Sequence, residues 1–152
     1  MAMNKQIIFK IGDGVYGIDV AKVMGIEKDI PVISIPNAPE CIKGIINLRG
    51  DVIPVFSIRE KFKMPDVQFD TRDLIIAKSQ GVPIAIEVDQ VKEIIELDDT
   101  KFGEVPSIVK SGETKYMEAV AHVESGLVLV LNLDGLLSRE QLQHLQDVVQ
   151  NQ

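Results

Sequence analysis

Few residues in this 152-residue chain combine the type and spacing that chemistry requires. The run Gly12-Asp13-Gly14-Val15-Tyr16-Gly17 follows a predicted strand and matches the GxGxxG pattern that cradles a dinucleotide pyrophosphate. That site needs its last glycine to open a helix and an acid about 20 residues further on. Here a β-like stretch, Gly25 and Pro31 follow, and Asn37 stands where the acid is due. A hairpin turn accounts for the glycines, leaving a nucleotide-using enzyme built on Gly12 to Gly17 as a remote alternative. His122 and His144 are far apart and lack partners at metal spacing, and Cys41 has no histidine nearby in sequence. There is no GxSxG around any serine and no Walker-type Gly-Lys-Ser/Thr. Asp98-Asp99 with Thr100, and the triplet Arg49-Gly50-Asp51, read as turns. No catalytic residue, metal or cofactor is expected, and binding surface remains.

The elements that must position such a surface are strands. Valine and isoleucine total 38, against 18 for leucine and alanine together. β-Branched side chains lose rotamer freedom in helices and pack well on pleated surfaces, so a β-rich fold is favoured over a bundle. Lys5 to Ile11 and Val15 to Ile18 form a predicted hairpin across the Gly12 turn. Asp19 caps one short helical turn through Val23, which Gly25 and Pro31 keep short. Pro31, Pro36 and Pro39 mark an extended connector. Further hairpins are Ile45 to Leu48 with Val52 to Phe56, Leu74 to Ala77 with Ile84 to Val88, and Tyr116 to Glu124 with Leu127 to Leu133. Pro54 lacks an N–H, which places its strand at an edge or a bulge. Ser57 to Phe62 forms a helical turn, Val91 to Leu97 a strand, and Thr100 to Thr114 a mobile loop. Ser138-Arg139-Glu140-Gln141 has capping-box spacing, and Leu142, Leu145 and Val149 follow on one stripe, so residues 138–150 form a helix that docks on the strands, the alternative being a free helix that binds a partner.

Charge removes other classes. Sixteen Lys+Arg against 23 Asp+Glu give a formal charge of −7. The cations are scattered, and the densest group, Arg59, Lys61 and Lys63, reads as a solvated face, so nucleic-acid binding is not expected. One cysteine, no secretory leader pattern and no apolar run near 20 residues predict a cytoplasmic protein without membrane insertion.

The chain also echoes itself. Ile18-Asp19 returns as Val88-Asp89, Val23-x-x-Ile26 as Val91-x-x-Ile94, and the Gly50 hairpin as the Gly126 hairpin, at offsets of 70, 68 and 76 residues. Two similar small β units sharing a strand or an interface is the simplest account, because units of this size are marginal alone.

Three ordered runs resemble the CheW family of bacterial chemotaxis coupling proteins. They are Tyr16-Gly17-Ile18-Asp19 with Val23-x-x-Ile26; Ile35-Pro36-Asn37-Ala38-Pro39 then Gly44-Ile45-Ile46-Asn47-Leu48-Arg49-Gly50 with Ile53-Pro54-Val55; and Val88-Asp89-x-Val91-x-x-Ile94. The resemblance implies a mainly β fold of two intertwined five-stranded SH3-like β-barrels with short helical turns and a C-terminal helix. It implies a single domain over residues 5–137, with 15–80 as the first barrel and 5–14 plus 81–137 as the second. It further implies a non-catalytic adaptor that links the cytoplasmic tips of transmembrane chemoreceptors to the CheW-like regulatory domain of the histidine kinase CheA. A CheW-like scaffold of another chemosensory pathway, such as surface motility, is the alternative. Positions matching the family's partner-binding groove are Val23, Ile26, Val91 and Ile94, each of which also suits core packing. Arg49, at a hairpin tip, offers five donors to a partner, and Gly44 and Gly50 serve backbone geometry.

Overall fold

The computed structural model describes residues 3–65, 72–106 and 116–150. β1 (Met3–Ile11) and β2 (Gly14–Asp19) form the first antiparallel hairpin. Asp19 then accepts a hydrogen bond from the Ala21 N–H and caps a 3-10 turn over Val20–Lys22. Immediately after it runs β3 (Val23–Lys28), a strand the sequence reading did not anticipate because Gly25 was weighed only as a helix breaker. β4 (Ile42–Leu48) and β5 (Asp51–Ser57) follow, then the short helix α1 (Ile58–Lys61), capped by the Ser57 hydroxyl. β6 (Asp73–Ser79) and β7 (Val82–Val88) make the next hairpin, and β8 (Gln90–Asp98) leaves it. The segment expected as a loop from Thr100 holds a 3-10 turn over Asp99–Lys101 and the two-residue β9 (Phe102–Gly103); residues 107–115 lie outside the described residues. β10 (Met117–Val123), β11 (Gly126–Leu131) and α2 (Arg139–Gln150) complete the chain.

Two of the hairpin loops share one turn chemistry. Arg49 and Gly50 take φ of 53° and 93°, and Gln80 and Gly81 take 50° and 81°. Positive φ at both central residues is the turn whose twist matches paired strands.

The strands sort into two sheets, in the order β3-β6-β7-β5-β4 and β8-β1-β2-β11-β10-β9. The first barrel is therefore residues 23–88, and the second combines 3–19 with 90–131. The expected division at 15 and 80 cuts the hairpins β1–β2 and β6–β7, whose pairing holds each in one sheet. The crossings lie instead at Asp19 to Val23 and at Asp89, where β3 and β8 each leave a hairpin to become the edge of the opposite sheet. Sequential order alternates between sheets, and this is the intertwining. The second sheet has a sixth strand because β9 adds two residues beside β10. Pro54 stands on an interior strand, not an edge, and the β5–β7 ladder begins only after it, at Val55.

Three apolar clusters hold this arrangement. Ile46, Ile53, Val55, Leu74, Ile76 and Ala85 fill the first barrel. Ile8, Ala121, Val128 and Val130 fill the second, with Ile95 and Leu97 of β8 and Phe102 of β9 closing on them from opposite ends of the sheet. The largest cluster lies between the barrels and takes Ile7, Phe9 and Ile18 from one sheet and Phe56, Ile75, Ile84 and Ile86 from the other. Central strands are thus buried on both faces, which explains the unbroken apolar runs Leu74 to Ala77 and Ile84 to Ile86. Each fully buried Ile or Phe here contributes roughly 1.5–3 kcal/mol. Phe9, Tyr16, Phe62 and Tyr116 form a row with ring centroids 5.9, 5.2 and 5.4 Å apart, the outer pairs stacked and the middle pair tilted at 45°.

α2 docks on this interface. Leu142 and Leu145 are buried in the inter-barrel cluster, while Val149 falls outside the described side chains. Its start is a reciprocal capping box: the Gln141 N–H donates to the Ser138 hydroxyl at 3.0 Å, and the Ser138 N–H donates to the Gln141 Oε1 at 2.8 Å.

Candidate functional site

The crossing strands β3 and β8 are the elements that expose apolar side chains on a sheet edge. Val23 and Val91 are half-buried and pack against the inter-barrel core. Ile26 and Ile94 share the face of their valines, because a bulge in each strand offsets the three-residue spacing, and they are 37% and 57% exposed. The four residues that the sequence groups together therefore differ in exposure and not in face: the valines pack on the core, and the isoleucines stand open to solvent beside them. Met24, at 58% exposed, joins Ile26 on β3. Sequence reasoning missed it along with the strand; the signal was the alternation Met24, Ile26, Lys28 of exposed residues. Met24 also lines an apolar hollow of about 350 Å³ with Val52, Pro54, Val82, Pro83 and Leu145.

Arg49 sits at the tip of the β4–β5 hairpin with its side chain 80% exposed, and its Nη2 lies 3.2 Å from the Glu27 carboxylate on β3. β3 and β4 are the two ends of one sheet order, so this pair also shows that sheet curling on itself. Arg49 occupies a left-handed backbone position that asparagine, aspartate or glycine adopts more cheaply. Gly50 follows at φ 93°, and its N–H donates to the Asn47 side chain at 3.0 Å. Gly44 has a different role. A Cβ there would stand 2.2 Å from the Ile33 carbonyl oxygen, because the proline-rich connector crosses β4 through the Ile33–Ile45 bridge.

The groups that first invited chemistry are arranged otherwise. Gly12 to Gly17 turns β1 into β2, and the Gly12 N–H donates to Asp89 at 2.7 Å. Cys41 is buried, and burial first, then Glu60 and Glu40, push its thiol up to about 11, so it stays protonated at neutral pH. His122 and His144 are exposed, and among the described residues no group of three His, Cys, Asp or Glu is placed to hold a metal ion.

A model of the CheW-like domain matches residues 5–141. The chain belongs to the CheW family. It is 30% identical over 137 residues to the chemotaxis protein CheW of Klebsiella aerogenes, covering 90% of this chain and 82% of that one. It is 28% identical over 142 residues to the Bacillus subtilis chemotaxis protein CheW, covering 92% and 90%. The solved structure of the scaffolding protein TtCheW from Thermoanaerobacter tengcongensis superimposes with a TM-score of 0.80 at 30% identity, covering 89% of this chain and 92% of that one. The mainly β fold of two SH3-like units is thus the CheW fold, and the function is that of a CheW chemotaxis coupling protein.

Within this CheW domain, the expected solvated face of Arg59, Lys61 and Lys63 needs correcting. Arg59 is only 13% exposed at its side chain and forms a two-point pair with Asp89. Sequence reasoning missed this pair because 30 residues separate its members. It also missed Glu87, which is buried at the end of the first barrel between Lys43 at 3.1 Å and Arg72 at 2.5 Å. Among the described residues, no helix is long and apolar enough to cross a membrane.

Proposed function

We propose that this CheW-family chain couples the cytoplasmic tips of methyl-accepting chemoreceptors to the histidine kinase CheA, through the kinase's CheW-like regulatory domain. It works in the cytoplasm and is recruited to the inner face of the membrane by the receptors. It carries out no chemistry, and signal passes as a bias between contact states. The observation that carries this reading is the pair of crossing strands. Each packs a valine on the shared core, Val23 or Val91, and leaves an isoleucine exposed on the same face, Ile26 or Ile94. A helical receptor segment is recognised by such exposed apolar side chains. Arg49 supplies the polar contact, and its unfavourable backbone position supports a role for its side chain beyond the turn. Gly44 and Gly50 hold the hairpin and connector that present it.

Reconstitution tests the proposal with purified chain, kinase and receptor-bearing membranes. The kinase co-sediments with the membranes only when the chain is present. Equal sedimentation without it refutes the coupling role, and binding to the output proteins of a different chemosensory system instead assigns the scaffold to that pathway.

A further inference from the structure

The two barrels end differently, and the difference points to a ligand. In the first barrel, Leu74 pairs with Glu87, and Arg72 stands two residues earlier. In the second, Ile8 pairs with Gly17, and Gln6 stands two residues earlier. The bulges correspond as well: Lys43 is the extra residue of β4, between the Ile42–Phe56 and Gly44–Val55 pairs. Glu118 is the extra residue of β10, between the Met117–Leu131 and Ala119–Val130 pairs. The first barrel thus closes its end with an anion, Glu87, held between two cations, Lys43 and Arg72. At the matching place the second barrel has Glu118, a glycine and the neutral Gln6.

That end of the second barrel is a cavity of about 300 Å³, lined by Gln6 with Asp19, Asp99, Glu118 and Phe102 among its walls. Among the described residues no lysine, arginine or histidine lines it. Gln6 is 3% exposed, and its Oε1 accepts no hydrogen bond from the described residues. Gly17 supplies the room, since a Cβ there would come within 3.2 Å of that oxygen. The carboxylates are not gathered closely enough to hold a metal ion.

We propose that this cavity binds a guanidinium group. Its planar fork offers five donors, enough for the Gln6 amide oxygen together with Glu118 and Asp19, and its face stacks on an aromatic ring such as Phe102. A buried acceptor without a donor and a rim of like charge both favour a cation over a neutral ligand. The first barrel shows the same chemistry supplied internally, with the Arg72 guanidinium on Glu87.

The test is an amide NMR titration of the full chain with capped arginine (N-acetyl-arginine amide), agmatine and capped citrulline, the neutral isostere. Saturable shifts at Gln6, Phe102, Glu118 and Ala119 with the two guanidinium compounds, and none with citrulline, support the site. Glu118→Gln, an exposed position, keeps the folded spectrum and weakens binding about tenfold. Gln6→Leu, checked in the same way for its spectrum, weakens it further. Tighter binding of capped arginine than of agmatine assigns the natural group to a polypeptide side chain, and the reverse assigns it to a free amine. No saturable shift at these residues, equal shifts with citrulline, or binding unchanged in Glu118→Gln overturns the proposal.

Discussion

The Asp89 carboxylate is gripped by Arg59 at both oxygens, Nε to Oδ1 at 3.0 Å and Nη2 to Oδ2 at 2.7 Å. The Gly12 N–H adds a third hydrogen bond at 2.7 Å. Asp89 lies where the chain crosses from the first barrel to the second, Arg59 is on α1 of the first, and Gly12 is in the opening hairpin of the second. One carboxylate therefore ties the two barrels at their crossing. Both side chains of the pair are nearly buried, at 13% and 14% exposed, so losing either leaves the other charge poorly solvated.

Asp89→Asn is expected to cost about 2–3 kcal/mol, since it removes the charge and half of a two-point grip. Urea unfolding measures this directly. A loss below about 0.5 kcal/mol would mean that the crossing is held by the apolar cluster alone.

The same residue sets an acid limit. Burial pushes the Asp89 carboxyl up, but hydrogen bonds from Arg59 and Gly12 and the charges of Arg59 and Lys10 outweigh it, holding it below the usual carboxylate range. A carboxyl lowered in the folded state adds stability that is present above its unfolded value, about 3.9, and is lost as pH falls through the folded value. Thermal melts of the parent chain therefore fall below about pH 4, and those of Asp89→Asn fall less steeply across the same window. Parallel slopes would remove Asp89 from the account.

Arg49→Asn separates function from folding. It removes an exposed ion pair worth about 0–1 kcal/mol and relieves the left-handed backbone position, so stability stays within about 0.5 kcal/mol. Kinase recruitment to receptor membranes falls. Full recruitment by a stable Arg49→Asn protein would reduce Arg49 to a turn residue.

The two glycines of the β4–β5 region are expected to respond differently. Gly44→Ala forces a Cβ onto the Ile33 carbonyl at 2.2 Å and costs about 2–4 kcal/mol. Gly50→Ala meets nothing within 4 Å and bears only the positive φ, about 1 kcal/mol. Chemical denaturation of the pair checks the order, and equal losses would contradict the crossing contact.

Leu145→Ala leaves a hole beneath α2, where Leu145 is 1% exposed, and costs about 2–4 kcal/mol. Ser138→Ala breaks the capping box for about 1 kcal/mol. Calorimetry reads both as shifts of one transition, whereas a separate low-temperature transition for the helix would show that it is not part of the shared core.

What the sequence determined by itself is what a few neighbouring residues decide. The valine and isoleucine excess set the β class, Arg49-Gly50 and Gln80-Gly81 set tight turns, Asp19 capped its short turn, and Ser138 with Gln141 began α2. Each depends on contacts within about four positions, so the residues themselves carry the instruction. The internal echo further indicated two related units. Tertiary structure decided where those units exchange strands. β3 and β8 look alike in sequence, yet each joins the sheet opposite to the hairpin it leaves, and that choice rests on pairing with β6 and β1 far along the chain. It also decided that Val23 and Val91 pack on the core while Ile26 and Ile94 stay exposed on the same face, that Arg59 is an interior partner of Asp89, and that the Gln6 amide oxygen, beside Gly17, accepts no hydrogen bond from the described residues. These follow from which surfaces meet, and no local propensity encodes a meeting between residues 77 positions apart, as at Gly12 and Asp89.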